Sequence, residues 1–132
     1  MVETTIAANK KRVWDFWTKP EHITKWNFAD ESWHCPRAEN DLRPGGKYKA
    51  RMEAKDASVG FDFEATYDEV INEQKLSYIM GDGRKAVTNF EDLGNATKVV
   101  TIFDAENENP VEIQKAGWQA ILENFKKYAE AS

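Results

Sequence analysis

The last two dozen residues restrict this chain more than any other stretch. Trp118, Ile121, Leu122, Phe125, Tyr128 and Ala129 recur at i, i+3, i+4, i+7, i+10 and i+11, so one apolar stripe runs down a single helix face. Asn109 and Pro110 supply a cap and a proline where a helix should begin, with Glu112 three residues after the cap. The pattern predicts a helix from about Pro110 to Glu130, roughly 30 Å long, whose stripe must be covered by something of comparable span.

A run of strands upstream meets that requirement. Lys47 to Lys55 alternates cleanly, with Tyr48, Ala50, Met52 and Ala54 on one face and Lys47, Lys49, Arg51, Glu53 and Lys55 on the other. Gly60 to Ile71 alternates again, placing Phe61, Phe63, Ala65 and Tyr67 inward, Asp62, Glu64, Thr66 and Asp68 outward, and Glu69 at inward parity near the strand's end. Leu76, Tyr78 and Met80 continue the pattern. Gly81-Asp82-Gly83 turns it, and strands follow at about Lys85 to Phe90 and Thr97 to Phe103. At the other end, Val2 to Ala7 reads as a first strand. A short helix then starts behind Asn9 and is stopped by Lys19-Pro20, and a second helical turn or two begins at Pro20. No period holds from Asn27 to Asn40, which therefore reads as a loop carrying Phe28 and Trp33, with Trp26 at its edge; Leu42-Arg43-Pro44-Gly45-Gly46 ends it in a turn. The expected class is α+β: a curved antiparallel sheet wrapped around a long C-terminal helix, with two short helices after the first strand.

Length and charge narrow the function. The 132 residues suit a single domain over the whole chain. No apolar run is long enough for a membrane span and the N-terminus lacks a signal-peptide pattern, so membrane insertion is not expected and a soluble, cytoplasmic protein is. One cysteine, Cys35, allows no internal disulfide. A net charge of −5 with scattered Lys and Arg excludes nucleic acid as a main partner.

TKPEHITKW, DLRPGGKY, GFDFEATYDEV and the terminal ENPVEIQKAGWQAILENFKKY together resemble the bacterial relatives of the C-terminal domain of the activator of the ninety-kilodalton heat-shock-protein ATPase, a family of the START-like, birch-pollen-allergen-like helix-grip superfamily. The similarity runs from Val2 to the last helix, and Gly117-Trp118 followed by Leu122 and Phe125 is among its more specific marks. The resemblance implies a sheet gripping the C-terminal helix and, in many relatives, a cavity for lipids, polyketides, hormones or other apolar molecules. It implies no single activity, since carriers, sensors, cyclases and chaperone regulators share the fold. The eukaryotic activator's separate N-terminal chaperone-binding domain has no counterpart here, which argues against direct stimulation of a chaperone ATPase.

The candidate ligand-binding set is Trp26, Phe28, Trp33, Tyr48, Met52, Phe61, Phe63, Tyr78, Met80, Trp118, Ile121, Leu122 and Phe125. Rings offer large apolar surfaces and thioethers fill irregular gaps, a composition suited to an adaptable pocket; plain core filling is the competing reading. Trp33, carried on the loop, is placed to act as part of a lid. Arg37 and Arg43, near the expected mouth, and the inward Glu69 are the polar candidates, whereas Arg51 shares the wet face with Lys47 and Lys49, and Arg84 is set aside. Tyr48, Tyr67 and Tyr78 have inward hydroxyls, read as reaching the rim and water, or else, where buried, as bonding a protein group or a ligand's carbonyl or hydroxyl. Gly117 inside a helix reads as a close approach of the helix to a strand, or else as space left for a ligand. His34-Cys35, with only His22 besides, lacks zinc-site spacing, so no metal and no cofactor are expected.

No Ser/His/Asp set, phosphate loop or metal cluster is present in the sequence. The leading expectation is a non-catalytic carrier or sensor of a small apolar molecule. One alternative is a cyclase or hydratase drawing on Glu69, Tyr48 or His34. The other is an interaction module with a protein partner such as a chaperone.

Overall fold

The computed structural model describes residues 2–28, 31–104 and 111–131. Its elements run β1 (Val2–Ile6), α1 (Lys10–Thr18), α2 (Pro20–Ile23), β2 (Trp33–Asn40), β3 (Lys47–Ala54), β4 (Gly60–Ile71), β5 (Lys75–Met80), β6 (Lys85–Asp92), β7 (Thr97–Phe103) and α3 (Val111–Ala131). The strands form one antiparallel sheet in the order β1-β7-β6-β5-β4-β3-β2, curled into a half-barrel with α3 in its grip. The expected α+β helix-grip architecture is the one observed.

Local chemistry accounts for most element ends. The Asn9 side chain accepts a hydrogen bond from the Arg12 backbone N–H at 2.9 Å, capping α1, and Lys19, held extended by the proline after it, separates α1 from α2. Asn109 and Pro110, the expected start of α3, lie outside the described residues. Gly46 is required by close approach: a Cβ there would stand 2.1 Å from the Asp41 carbonyl oxygen. The tight turn it permits is stitched to β4 by Gly45 N–H donating to the Tyr67 carbonyl and Tyr67 N–H donating to the Gly46 carbonyl.

Two departures from the expected layout matter for the site. Residues 33–40 are not a loop but the edge strand β2, paired with β3 from Trp33↔Ala54 to Asn40↔Tyr48. The register shifts between His34 and Arg37, around Pro36, and a bulge with a proline erases the period of two that announces a strand; both features belong on sheet edges. Trp33 is thus fixed to the sheet rather than carried on a lid. In β4 the register also shifts between Tyr67 and Glu69. The extra residue reverses the parity beyond it, so Glu69 faces outward and Val70, which pairs with Leu76, faces the core.

Packing is uneven along α3. Its C-terminal half is seated in the main core, with Leu122, Phe125 and Ala129 buried among Ile6, Val13, Trp14, Ile23, Trp26 and Val99. Its N-terminal half stands off: Val111 is 57% and Ile113 64% exposed. The helix backbone approaches β1 and α1 closely, and the opposite wall of the half-barrel, β2 to β4, is left to line a space.

Candidate functional site

That space is a cavity of about 460 Å3 between the sheet and the N-terminal half of α3. From β2, β3 and β4 come Trp33, Tyr48, Met52, Phe61, Phe63 and Tyr67; from β5, Leu76, Tyr78 and Met80; from α3, Ile113, Gln114, Gly117, Trp118, Ile121 and Leu122. The α1–α2 region closes the inner end with Trp17, Trp26, Asn27 and Phe28, and Val2, Thr101 and Arg84 complete the lining. Phe61 is 51% exposed, and with Ile113 it marks the mouth.

Twelve of the thirteen apolar candidates from the sequence are on this wall. Phe125 is not: it is fully buried behind the wall, edge-on to Trp17 at 4.8 Å and to Trp26 at 4.9 Å between ring centroids. It belongs to the core that seats α3. The three polar candidates are elsewhere as well. Arg37 lies on the charged outer face of β2, 3.9 Å from Asp62, and Arg43 forms a local pair with Asp41 at 2.9 Å. Glu69, turned outward by the bulge, pairs with Lys75.

The reading that set Arg84 aside is corrected: it is the one charged side chain among the described residues that line the cavity. It leaves the β5–β6 turn, where Asp82 holds its Nε at 2.6 Å and the Asp104 carbonyl accepts from the guanidinium at 3.4 Å. A carboxylate two residues earlier in a Gly-flanked turn was the available signal. Trp17 on α1, not among the candidates from the sequence, also lines the cavity and stacks on Trp26 at 4.8 Å and 27°.

Two of the three tyrosine hydroxyls, expected at the rim on water, are bonded to side chains instead. Asn27 donates from its side-chain amide to the Tyr48 hydroxyl oxygen at 2.9 Å, and the Tyr67 hydroxyl donates to the Asn40 side-chain oxygen at 2.8 Å. The Tyr78 hydroxyl has no hydrogen-bond partner among the described residues. Tyr48 and Tyr78 retain accessible surface, and both line the cavity. Burial accordingly pushes the Tyr48 hydroxyl well above its ordinary pKa, with Tyr78, Tyr67 and Cys35 nearby adding to the rise. Burial also raises Tyr78, and raises Tyr67 with Tyr78 adding to the effect. The cavity is hostile to negative charge.

Gly117 settles its two readings by geometry. A Cβ built there meets none of the described residues within 4 Å, so no described strand approaches it, and the missing side chain opens onto the cavity. Trp118 beside it stacks on Phe103 of β7. Cys35 and His34, adjacent on an extended strand, point to opposite faces. Cys35 is buried beside Ala50 and Met52, and its thiol is pushed up to about 11, mainly by burial. His34 lies 3.6 Å from Glu53 and does not line the cavity.

Residues 7–130 match the model of the family described as Activator of Hsp90 ATPase homolog 1-like protein. The chain belongs to this family. Among solved structures it is similar to an AHSA1-like protein from Aeromonas hydrophila, 38% identical over 98% of this chain and 92% of that one, with a TM-score of 0.88. A protein from Cytophaga hutchinsonii is 46% identical over 98% and 90% of the two chains, TM-score 0.84. A protein from Chromobacterium violaceum, at 21% identity with 98% and 95% covered and a TM-score of 0.85, shares the fold of this AHSA1-like chain. A comparison with curated proteins finds no match. Among the described residues of this AHSA1-like chain, no helix is long and apolar enough to cross a membrane.

Proposed function

We propose that this protein holds a small apolar molecule in the cavity between the sheet and α3, as a non-catalytic carrier or sensor in the cytoplasm. The observation that carries the reading is the volume of about 460 Å3 walled almost wholly by rings, thioethers and aliphatic side chains. Small-molecule sites are concave, predominantly apolar and roughly 300–1,000 Å3 in volume. Gly117 adds to it, since a helix residue that forgoes a side chain over open space keeps volume free at a cost of about 1 kcal/mol relative to alanine.

Catalysis has less support. Of the three titratable groups from which a cyclase or hydratase would draw, Glu69 and His34 stand off the wall and only Tyr48 lies on it. Its hydroxyl, held protonated by burial, is a hydrogen-bond donor at neutral pH rather than a base.

Native mass spectrometry of freshly purified protein, compared with the same sample after denaturation and organic extraction, tests the proposal. The expected result is an extractable extra mass of a few hundred daltons, on the order of a pocket-sized ligand. A bare protein that also fails to take up apolar dyes overturns it and moves the reading to protein interaction through the outer surface.

A further inference from the structure

Apolar surface alone does not choose among ligands, so the polar atoms of the wall decide the class. On the sheet side they include Tyr48 on β3 and Tyr78 on β5, flanking β4, with their rings parallel within 18° at 6.5 Å between centroids. Tyr48's oxygen already accepts from Asn27, which leaves its own O–H proton to donate. Tyr78's hydroxyl is without a partner among the described residues. Two phenol protons on one stretch of the wall are therefore uncommitted within the described residues and face the cavity, where an acceptor on a ligand can take them.

We infer that the ligand is an uncharged molecule with an apolar body and a carbonyl-type acceptor oxygen, which takes the free protons of Tyr48 and Tyr78. The inference rests on the reading of the cavity as a ligand site. A carboxylate is the obvious competitor, because Arg84 also lines the space. Arg84, however, is already neutralised by Asp82 and spent in part on the Asp104 carbonyl. A second anion would sit beside phenols that burial holds protonated, in surroundings that disfavour negative charge.

The test uses three probes with one body: tetralin, 1-tetralone and 1-tetralincarboxylate. Binding to the whole protein is followed by backbone amide shifts in nitrogen–proton spectra. A net hydrogen bond between neutral groups corresponds to roughly threefold to tenfold in affinity. The ketone should bind tighter than the hydrocarbon by about that factor, with the carboxylate weakest. Tyr78→Phe and Tyr48→Phe should each reduce the ketone's advantage over tetralin about threefold and together abolish it, with the dispersion of the unliganded spectra as the check on folding. A ketone no tighter than tetralin, or a carboxylate tighter than both, overturns the inference and leaves the cavity as a ligand site. Failure of all three probes to shift any wall residue overturns the ligand site itself and the inference with it.

Discussion

Phe103 on β7 and Trp118 on α3 stack face to face, their centroids 4.5 Å apart and their planes 9° from parallel. This contact fastens the N-terminal half of the helix to the sheet, in a stretch where Val111 and Ile113 are left largely in solvent. The stack therefore fixes the width of the cavity as well as helping to hold the fold. Trp118→Ala should cost less stability than a fully buried aromatic, about 1.5–3 kcal/mol, because its ring is only partly buried. Phe125→Ala should cost about 3–5 kcal/mol, since it removes a ring with no exposure at all. Urea unfolding of the two variants checks the order; a larger loss for Trp118→Ala would mean that the helix is seated at the other end.

Gly117 and Gly46 predict opposite outcomes for the same change. A methyl at 117 meets none of the described residues within 4 Å, so Gly117→Ala should raise stability by about 0.5–1 kcal/mol through helix propensity and a restricted unfolded chain. Gly117→Leu should also fold, but its side chain occupies the cavity and should lower the uptake of an apolar dye. Gly46→Ala places a carbon 2.1 Å from a backbone oxygen and should destabilise the protein. Thermal melts of the three variants, with dye binding for Gly117→Leu, are the measurements.

What the sequence shows and what it conceals follow from the same physics. β3 and β4 were legible because each has one wet face, so Lys49, Arg51 and Asp62 alternate with Ala50, Met52 and Phe63. β2 was concealed by Pro36 and the shift beside it, and the outward turn of Glu69 by one inserted residue: a bulge leaves almost no trace in composition yet reverses every side chain beyond it. The α3 stripe identified the inward face but not how far away the opposing layer stands. Leu122 on the wall and Phe125 behind it consequently read alike. Arg84 was legible only to a reader who knew that the β5–β6 turn closes over the cavity.

Asn124 joins α3 to the segment after α2, donating from its side-chain amide to the backbone carbonyls of Trp26 at 2.9 Å and Phe28 at 3.3 Å. Both acceptor residues line the inner end of the cavity. Removing the donor leaves partly buried carbonyls unpaired, so Asn124→Ala should cost about 1–2 kcal/mol and loosen that end. Hydrogen exchange reads the effect directly. Amides of 26–28 should exchange faster while those of β5 and β6 change little, and a uniform change across the sheet would mean that the loss is global instead.

The alkaline limb of the stability curve should report the buried acids of the site. Cys35 has an ordinary value of 9.0 and is raised to about 11, mainly by burial, with its contact to the Arg37 backbone acting in the opposite direction. Tyr48, Tyr67 and Tyr78 are raised as well, each chiefly by burial. For all four, the folded state holds its proton more tightly than the unfolded chain does. Their contribution is therefore complete below the unfolded value and is lost as pH rises towards the folded one. For Cys35 that window is 9.0 to about 11, and the tyrosines continue the decline above 10.0, where their unfolded forms begin to ionise. The urea midpoint should be level through neutral pH and fall above about pH 9, with Cys35→Ala removing the first part of the fall. Phenolate absorbance from the three site tyrosines, isolated by using a Tyr128→Phe background, should rise together with unfolding rather than before it, and native protein should leave the Cys35 thiol unmodified by a disulfide reagent at about pH 8. Rapid modification of that thiol without unfolding would show that it opens to solvent, and with it the buried cluster it forms with Ala50 and Met52.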